Sequence, residues 1–253
     1  MMNFRASHER RFGPAPRFLF VLSLALAGHG RALAEPAAVT SNDAATRLNM
    51  AWSLDFVSRY CFQGFDYSDG QPVLQPTLSL GYGGASGTLW FNHDLDLRRS
   101  DEFDWSIQYE ESVGRLSVAG GYMYVRYPHR DGWAPSQEFY SDLSAELPLS
   151  PSLSIHRDFD AGKGWYLTAG ASHPLIAAPL PLTLDSRLFY ERHYYSMSGI
   201  PSAELRLGTE VRLGRMTVSP GVSRFQTWEN GDFRGAAALD PAWVFSLSLG
   251  GEY

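Results

Sequence analysis

From Leu48 to the end of the chain, apolar and polar residues alternate with a period of two. Leu48, Met50, Trp52, Leu54 and Phe56 share one face of the first stripe, and Leu89, Phe91, Leu95 and Leu97 share another. The pattern recurs at Phe103–Tyr109, Leu116–Tyr124, Phe139–Leu147, Trp165–Ala171, Leu182–Tyr190, Ala203–Leu213, Met216–Val222 and Trp243–Tyr253. Period two is the signature of a strand with one apolar face. The stripes predict about twelve strands of roughly ten residues, the length a tilted strand needs to cross a bilayer. The opposite faces are polar or small: Asn92, Asp94 and Asp96 oppose one stripe, Asp104, Ser106, Gln108 and Glu110 another, and Glu204, Arg206, Glu210 and Arg212 a third.

Alternation alone does not say whether the apolar face points in or out, since a soluble barrel buries it. Four features point outward. Tight connections (Gly83–Gly87, Glu111–Gly114, Pro148–Pro151, Gly214) alternate with longer ones (Gln63–Pro72, Pro128–Ser136, Arg192–Ile200, Thr227–Leu239). Short turns on one side and long loops on the other are typical of outer-membrane barrels. Tyr60, Phe103, Tyr124, Phe139, Phe159, Trp165, Tyr190 and Trp243 all fall near the loop end of the apolar faces, as an interfacial girdle requires. The even strand count places both ends of the barrel on the turn side, and the last strand closes on an aromatic residue, Tyr253. The fold class expected is therefore all-β, a single antiparallel up-and-down transmembrane β-barrel over residues 48–253.

The segment before it reads as processing and lead-in. Arg5, Arg10, Arg11 and Arg17 precede the apolar run Phe18–Gly28, and Ala32-Leu33-Ala34 supplies a small-x-small cleavage pattern. Residues 1–34 are thus expected to be a cleaved signal peptide and 35–47 a flexible lead-in, with the outer membrane of a Gram-negative bacterium as destination. Loss of residues 1–34 removes five arginines and Glu9 and moves the formal charge from −6 to −10. Such a chain is a poor nucleic-acid ligand, because phosphate contacts need basic surface. The expected partners are outer-membrane lipid, the barrel-assembly machinery during insertion, and small polar solutes. Cys61 is the single cysteine, so no internal disulfide forms.

Residues 54–82, LDFVSRYCFQGFDYSDGQPVLQPTLSLGY, resemble the N-terminal hairpin of the TorF-like porin family of proteobacteria. In that pattern an early strand ends in a Tyr-x-Phe-Arg-Gly segment and a Gln-Pro or Gln-Gly pair opens the next. The matching positions are Tyr60, Phe62, Gln63, Gly64, Gln75 and Pro76, with Gln63 standing where the pattern has arginine. The resemblance implies an outer-membrane channel.

Enzyme and metal signatures are sparse. The run Gly81–Gly87 precedes a strand where a phosphate cradle needs a helix. None of His93, His129, His156, His173 and His193 has a serine two residues on. His193 with Ser196, and His156 with Asp158, are the nearest approaches to an acid–base pair, and a hydrogen-bond network is the simpler account of the second. Asp94, Asp96, Asp101, Glu102 and Asp104 crowd one hairpin without a glycine-turned loop to organise a Ca²⁺ site. Neither catalytic residues nor a cofactor or metal are expected.

The inward charges carry the functional expectation. Asp94, Asp104, Glu110, Asp142 and Asp158 form an acidic wall, while Asp185, Arg187, Glu204, Arg206, Glu210 and Arg212 mix both signs. All eleven are expected to line a pore, since charged rows across a lumen select solutes. The function expected is a porin-like channel for passive diffusion of small polar solutes, with a weak cation preference. The alternatives are a barrel enzyme acting on lipid, or a structural or adhesive barrel working through its external loops.

Overall fold

The computed structural model describes residues 48–177, 180–233 and 240–253. The signal-peptide and lead-in expectations, residues 1–34 and 35–47, lie outside the described residues. Among the described residues there are sixteen strands, and twelve staves built from them close into one antiparallel ring. The strands are β1 (Leu48–Val57), β2 (Cys61–Phe62), β3 (Phe65–Asp66), β4 (Val73–Tyr82), β5 (Ala85–Asp94), β6 (Arg99–Val113), β7 (Leu116–Arg126) and β8 (Ser136–Ala145). They continue as β9 (Ser152–Asp158), β10 (Trp165–Ile176), β11 (Leu182–Tyr194), β12 (Met197–Gly199), β13 (Ser202–Gly208), β14 (Val211–Leu213), β15 (Met216–Thr227) and β16 (Trp243–Glu252).

Each stave pairs with the next in sequence, and β1 pairs with both β4 and β16, so no edge is left open. Closure matters because an unpaired backbone N–H or C=O in hydrocarbon costs several kcal/mol. One stave is interrupted. Gly208 pairs with Gly221 and Val211 with Val218, so the register is unbroken across Thr209 and Glu210. Pro220 faces this gap: it accepts from the Thr209 N–H (3.1 Å) but has no N–H to return. The single strand expected over 203–213 is therefore observed as β13 and β14. At the turn end β10 runs on to Ile176 through a bulge at Pro174, and β11 begins at Leu182.

The ring is inside-out relative to a soluble barrel. Leu205, Phe245, Ile107 and Leu80 are between 47% and 60% exposed, whereas Thr77, Thr88, Ser106, Ser154 and Ser223 on the opposite parity are buried. The two faces of every stave therefore have the polarity of a lipid-facing exterior and a polar interior. Aromatic rings ring the exterior at the loop end, where Phe91 stacks near Phe103 (4.8 Å) and Phe139 near Phe159 (5.1 Å). Tyr82, Tyr109 and Tyr253 supply exposed rings at the turn end. Of the residues expected in the girdle, Tyr60 departs: it is 2% exposed and lies inside. The regular alternation that would have placed it outside stops at Val57, where β1 ends and the chain turns inward.

Leu247 sits at the middle of β16 on the exterior. Its replacement by arginine is expected to destabilise the barrel in lipid vesicles by about 2–4 kcal/mol, as charges do at mid-bilayer. Urea unfolding monitored by tryptophan fluorescence checks this; an unchanged midpoint would remove the lipid-facing assignment.

Candidate functional site: a hairpin seated in the barrel mouth

The most consequential difference from the sequence reading concerns Gln63–Pro72, expected as a long external loop, and the residues from Ser58 that lead into it. They fold into the barrel. Strands β2 and β3 form a hairpin whose two-residue turn is Gln63-Gly64, with φ of 50° and 85°. Both turn residues need positive φ in this tight hairpin, which glycine supplies without steric cost. Gly64 also has no room for a side chain, since a Cβ there would lie 2.7 Å from Ser202 Cβ.

Aromatic packing seats the hairpin. Tyr60 packs on Tyr67 (5.5 Å) and on Trp90 of β5 (5.9 Å), Phe65 on Phe233 (6.0 Å), and Phe62 on Tyr166 and Phe189 (6.4 Å each). Trp133, from the β7–β8 loop, closes over Tyr67 and Tyr127. Polar pins complement the rings. Asp240 N–H donates to Gly64 O (3.0 Å), and Arg59 pairs with Asp240 and with Asp66 (3.3 Å). Arg130 donates to Tyr67 O (2.8 Å) and, through Nε, to Asp101 Oδ2 (2.7 Å). Burial raises the Asp66 carboxyl above its ordinary range, against the Ser68 N–H and the Arg59 guanidinium, which pull it down.

Below the hairpin the wall is strongly acidic. Among the described residues, the inward positions carry the carboxylates Asp55, Asp94, Glu102, Asp104, Glu110, Glu138, Asp142, Asp158, Asp185, Glu191, Glu204 and Glu210. Three arginines join them from the wall, Arg187, Arg206 and Arg212, and each is paired: with Glu204 (3.1 Å), Asp185 (3.3 Å) and Glu210 (3.2 Å).

The eleven residues expected to line a pore occupy three settings. Asp94 and Asp158 are buried at turns: Asp94 accepts from the N–H groups of Asp96 (2.9 Å) and Leu97 (2.8 Å), Asp158 from those of Asp160 (2.9 Å) and Lys163 (3.4 Å) and from Ser136 Oγ (2.6 Å). Their local work is to close the β5–β6 and β9–β10 connections. Asp104, Glu110 and Asp142 stand on the interior of β6 and β8. Asp185, Arg187, Glu204 and Arg206 form a ladder of crossed pairs on β11 and β13, and Glu210 with Arg212 lies at the turn-end rim. The acidic hairpin weighed for Ca²⁺ is divided by these roles, Asp101 being tied to Arg130. Among the described residues no group of three or more histidine, cysteine or carboxylate side chains is arranged to hold a metal ion.

Sequence reasoning missed a relay in the interior of β8–β10. Ser154 Oγ donates to Asp142 Oδ1 (2.5 Å), His156 Nε2 lies 3.0 Å from Ser154 Oγ, and His156 Nδ1 lies 3.2 Å from Glu138 Oε2. Tyr166 OH donates to the same Glu138 oxygen (2.8 Å), and the imidazole is stacked between Tyr166 (4.3 Å) and Tyr140 (5.2 Å). The order serine–histidine–carboxylate has the appearance of a hydrolytic triad. Its wiring differs: Ser154 Oγ is already bonded to Asp142, and the hydrogen it shares with His156 Nε2 sits on either atom according to the imidazole tautomer. The relay is a structural network tying three staves. The spacing Ser154-x-His156 was visible in the sequence, but the partners on the neighbouring strand, Glu138 and Asp142, were not.

No family model matches the chain, and no curated protein matches it. Among solved structures, the NanC porin in a rhombohedral crystal form is similar at 10% identity over 79% of this chain and 97% of that one, with a TM-score of 0.49. CdiB from Acinetobacter baumannii is similar at 11% identity over 82% and 60%, with a TM-score of 0.40. OpdK from Pseudomonas aeruginosa with vanillate follows at 13% identity over 72% and 57%, with a TM-score of 0.36. At these TM-scores the likeness carries no argument about function; the barrel stands on its own strand pairing.

Cys61 reports on the hairpin. It is 5% exposed, and burial, with the Asp66 carboxylate nearby, pushes its thiol well above the usual cysteine range. With the pKa raised, the thiolate is scarce at pH 8 and grows only at higher pH. Alkylation by a membrane-impermeant maleimide at pH 8 is expected to be about a hundredfold slower in the folded barrel than in urea. Equal rates in the two states would mean that the hairpin does not stay in the mouth.

Proposed function

We propose that this barrel is a porin-like channel of an outer membrane, passing small polar solutes by diffusion with a preference for cations. One observation carries the reading: an exterior fit for lipid encloses an interior in which wall carboxylates far outnumber wall arginines. A surplus of one sign in a low-dielectric passage concentrates counter-ions and repels co-ions. The resemblance of residues 54–82 to TorF-like porins supports the same reading.

In this reading the hairpin of residues 60–67 is the constriction. It fills the loop end of the lumen, while the turn end, lined by Glu110, Asp142, Asp185 and Arg206, is the wider vestibule. The inward position keeps the constriction rigid, because its rings are packed on Trp90, Tyr166 and Phe189 of the wall and its ends are pinned by Arg59 and Arg130.

Planar-bilayer recording of the refolded protein in a KCl gradient tests the selectivity. The reversal potential is expected to report a cation preference that falls toward unity when Asp104 and Asp142 are both replaced by asparagine. A reversal potential that does not move with that change, or a folded barrel that passes no current, would overturn the proposal. In the same assay, Arg59→Ala combined with Arg130→Ala is expected to raise the single-channel conductance by loosening the hairpin.

A further inference from the structure

The relay at His156 and the crossed pairs on β11 and β13 use their polar groups fully. One interior patch does not. Both carboxylate oxygens of Glu191, both amide atoms of Gln63 and the hydroxyl of Ser202 are buried without a hydrogen-bond partner, and all three residues are 0% exposed. Buried polar groups in folded proteins are nearly always hydrogen-bonded, so three unpartnered ones in one patch point to an occupant.

The three groups belong to one neighbourhood at the hairpin tip. Glu191 on β11 stands directly across from Tyr166 on β10. Phe62, the residue before Gln63, packs against Tyr166 and Phe189. Gly64, the residue after it, lies against Ser202, on the stave that pairs with β11. Gln63 is therefore held between Phe62 and Gly64, over the seam of β11 and β13. None of the three has another as its hydrogen-bond partner.

We infer that Glu191, Gln63 and Ser202 form a binding site for a primary alkylammonium cation at the tip of the hairpin. The donor count fits. A primary ammonium has three N–H bonds, and the site offers a carboxylate oxygen, the Gln63 carbonyl oxygen and the Ser202 hydroxyl oxygen as acceptors. Phe62, Tyr166 and Phe189 wall the patch with rings whose faces attract a cation and accept an alkyl chain. A divalent ion is a poorer fit, since Ca²⁺ takes six to eight oxygen ligands, usually with several carboxylates, and Glu191 is a single one. The inference deepens the channel reading by naming a solute class. It also puts that solute on the residue at the turn of the constriction, where binding and passage meet.

Calorimetric titration of the full-length barrel, refolded in detergent and kept in phosphate buffer free of amines, tests the site with ethylammonium chloride as probe. Saturable heat is expected, with affinity reduced about tenfold or more in Glu191→Gln, the loss of one charge-assisted bond. Gln63→Arg is the second variant: its guanidinium supplies a tethered cation at the same place, so it is expected to keep the gel mobility of the folded barrel and to lose ethylammonium binding. Tetramethylammonium, which has no N–H, is expected to give no saturable heat. The site is overturned if ethylammonium gives none either, if Glu191→Gln binds it unchanged, if tetramethylammonium binds equally well, or if calcium chloride alone gives the response. The calorimeter reads binding whether or not the barrel conducts, so a silent bilayer with a positive titration would sink the channel and leave the site standing.

Discussion

The structure depends on one constraint: in hydrocarbon, a backbone amide has no partner except another backbone. A chain that crosses with strands must close its sheet, and closure through β1 and β16 is what makes every other feature of the molecule workable. The turn side can be short because antiparallel neighbours need only a residue or two to reverse. The exterior can be uniformly apolar because no edge has to be shielded. The interior, relieved of packing against a second layer, can carry carboxylates at a density that a soluble core would not tolerate.

That tolerance is met by three kinds of local chemistry. Carboxylates at the loop end of staves turn into connectors, as Asp94 and Asp158 do by collecting backbone N–H groups. Those on β11 and β13 are matched with arginine one strand away, Arg187 with Glu204 and Arg206 with Asp185. Those on β8 are tied through Ser154, His156 and Tyr166 into one hydrogen-bonded relay. Glu191 belongs to none of these groups, which is why it stands out.

Much of the fold was legible in the sequence because a strand's two faces are written every second residue. The count of staves, the alternation of short and long connections and the face occupied by Asp104, Asp142, Glu204 and Arg206 all follow from that parity. The failures lie where parity stops carrying information. Tyr60 and the 58–72 segment read as rim and loop because their apolar residues look the same whether they meet lipid or fold back into the lumen. A two-residue strand such as β2 is too short for a period to register. Pro220 was visible, but its missing N–H is felt on the neighbouring stave, at Thr209, and a single chain read in order does not say which stave that is. The triad-like order of Ser154, His156 and Glu138 was hidden for the same reason: Glu138 and Asp142 come from β8 and are brought opposite by register alone.

The hairpin also has a temporal meaning. It follows β1 directly, yet it is anchored to the far end of the chain: Arg59 to Asp240, Gly64 O to Asp240 N, Ser58 to Phe245 on β16. These contacts span some of the longest separations in the sequence and straddle the seam between the first and last staves. Contacts so distant in sequence form late, because the intervening chain must first be ordered. Seating the hairpin and zipping the seam are therefore one event, and the barrel acquires its internal obstruction at the moment it ceases to be an open sheet.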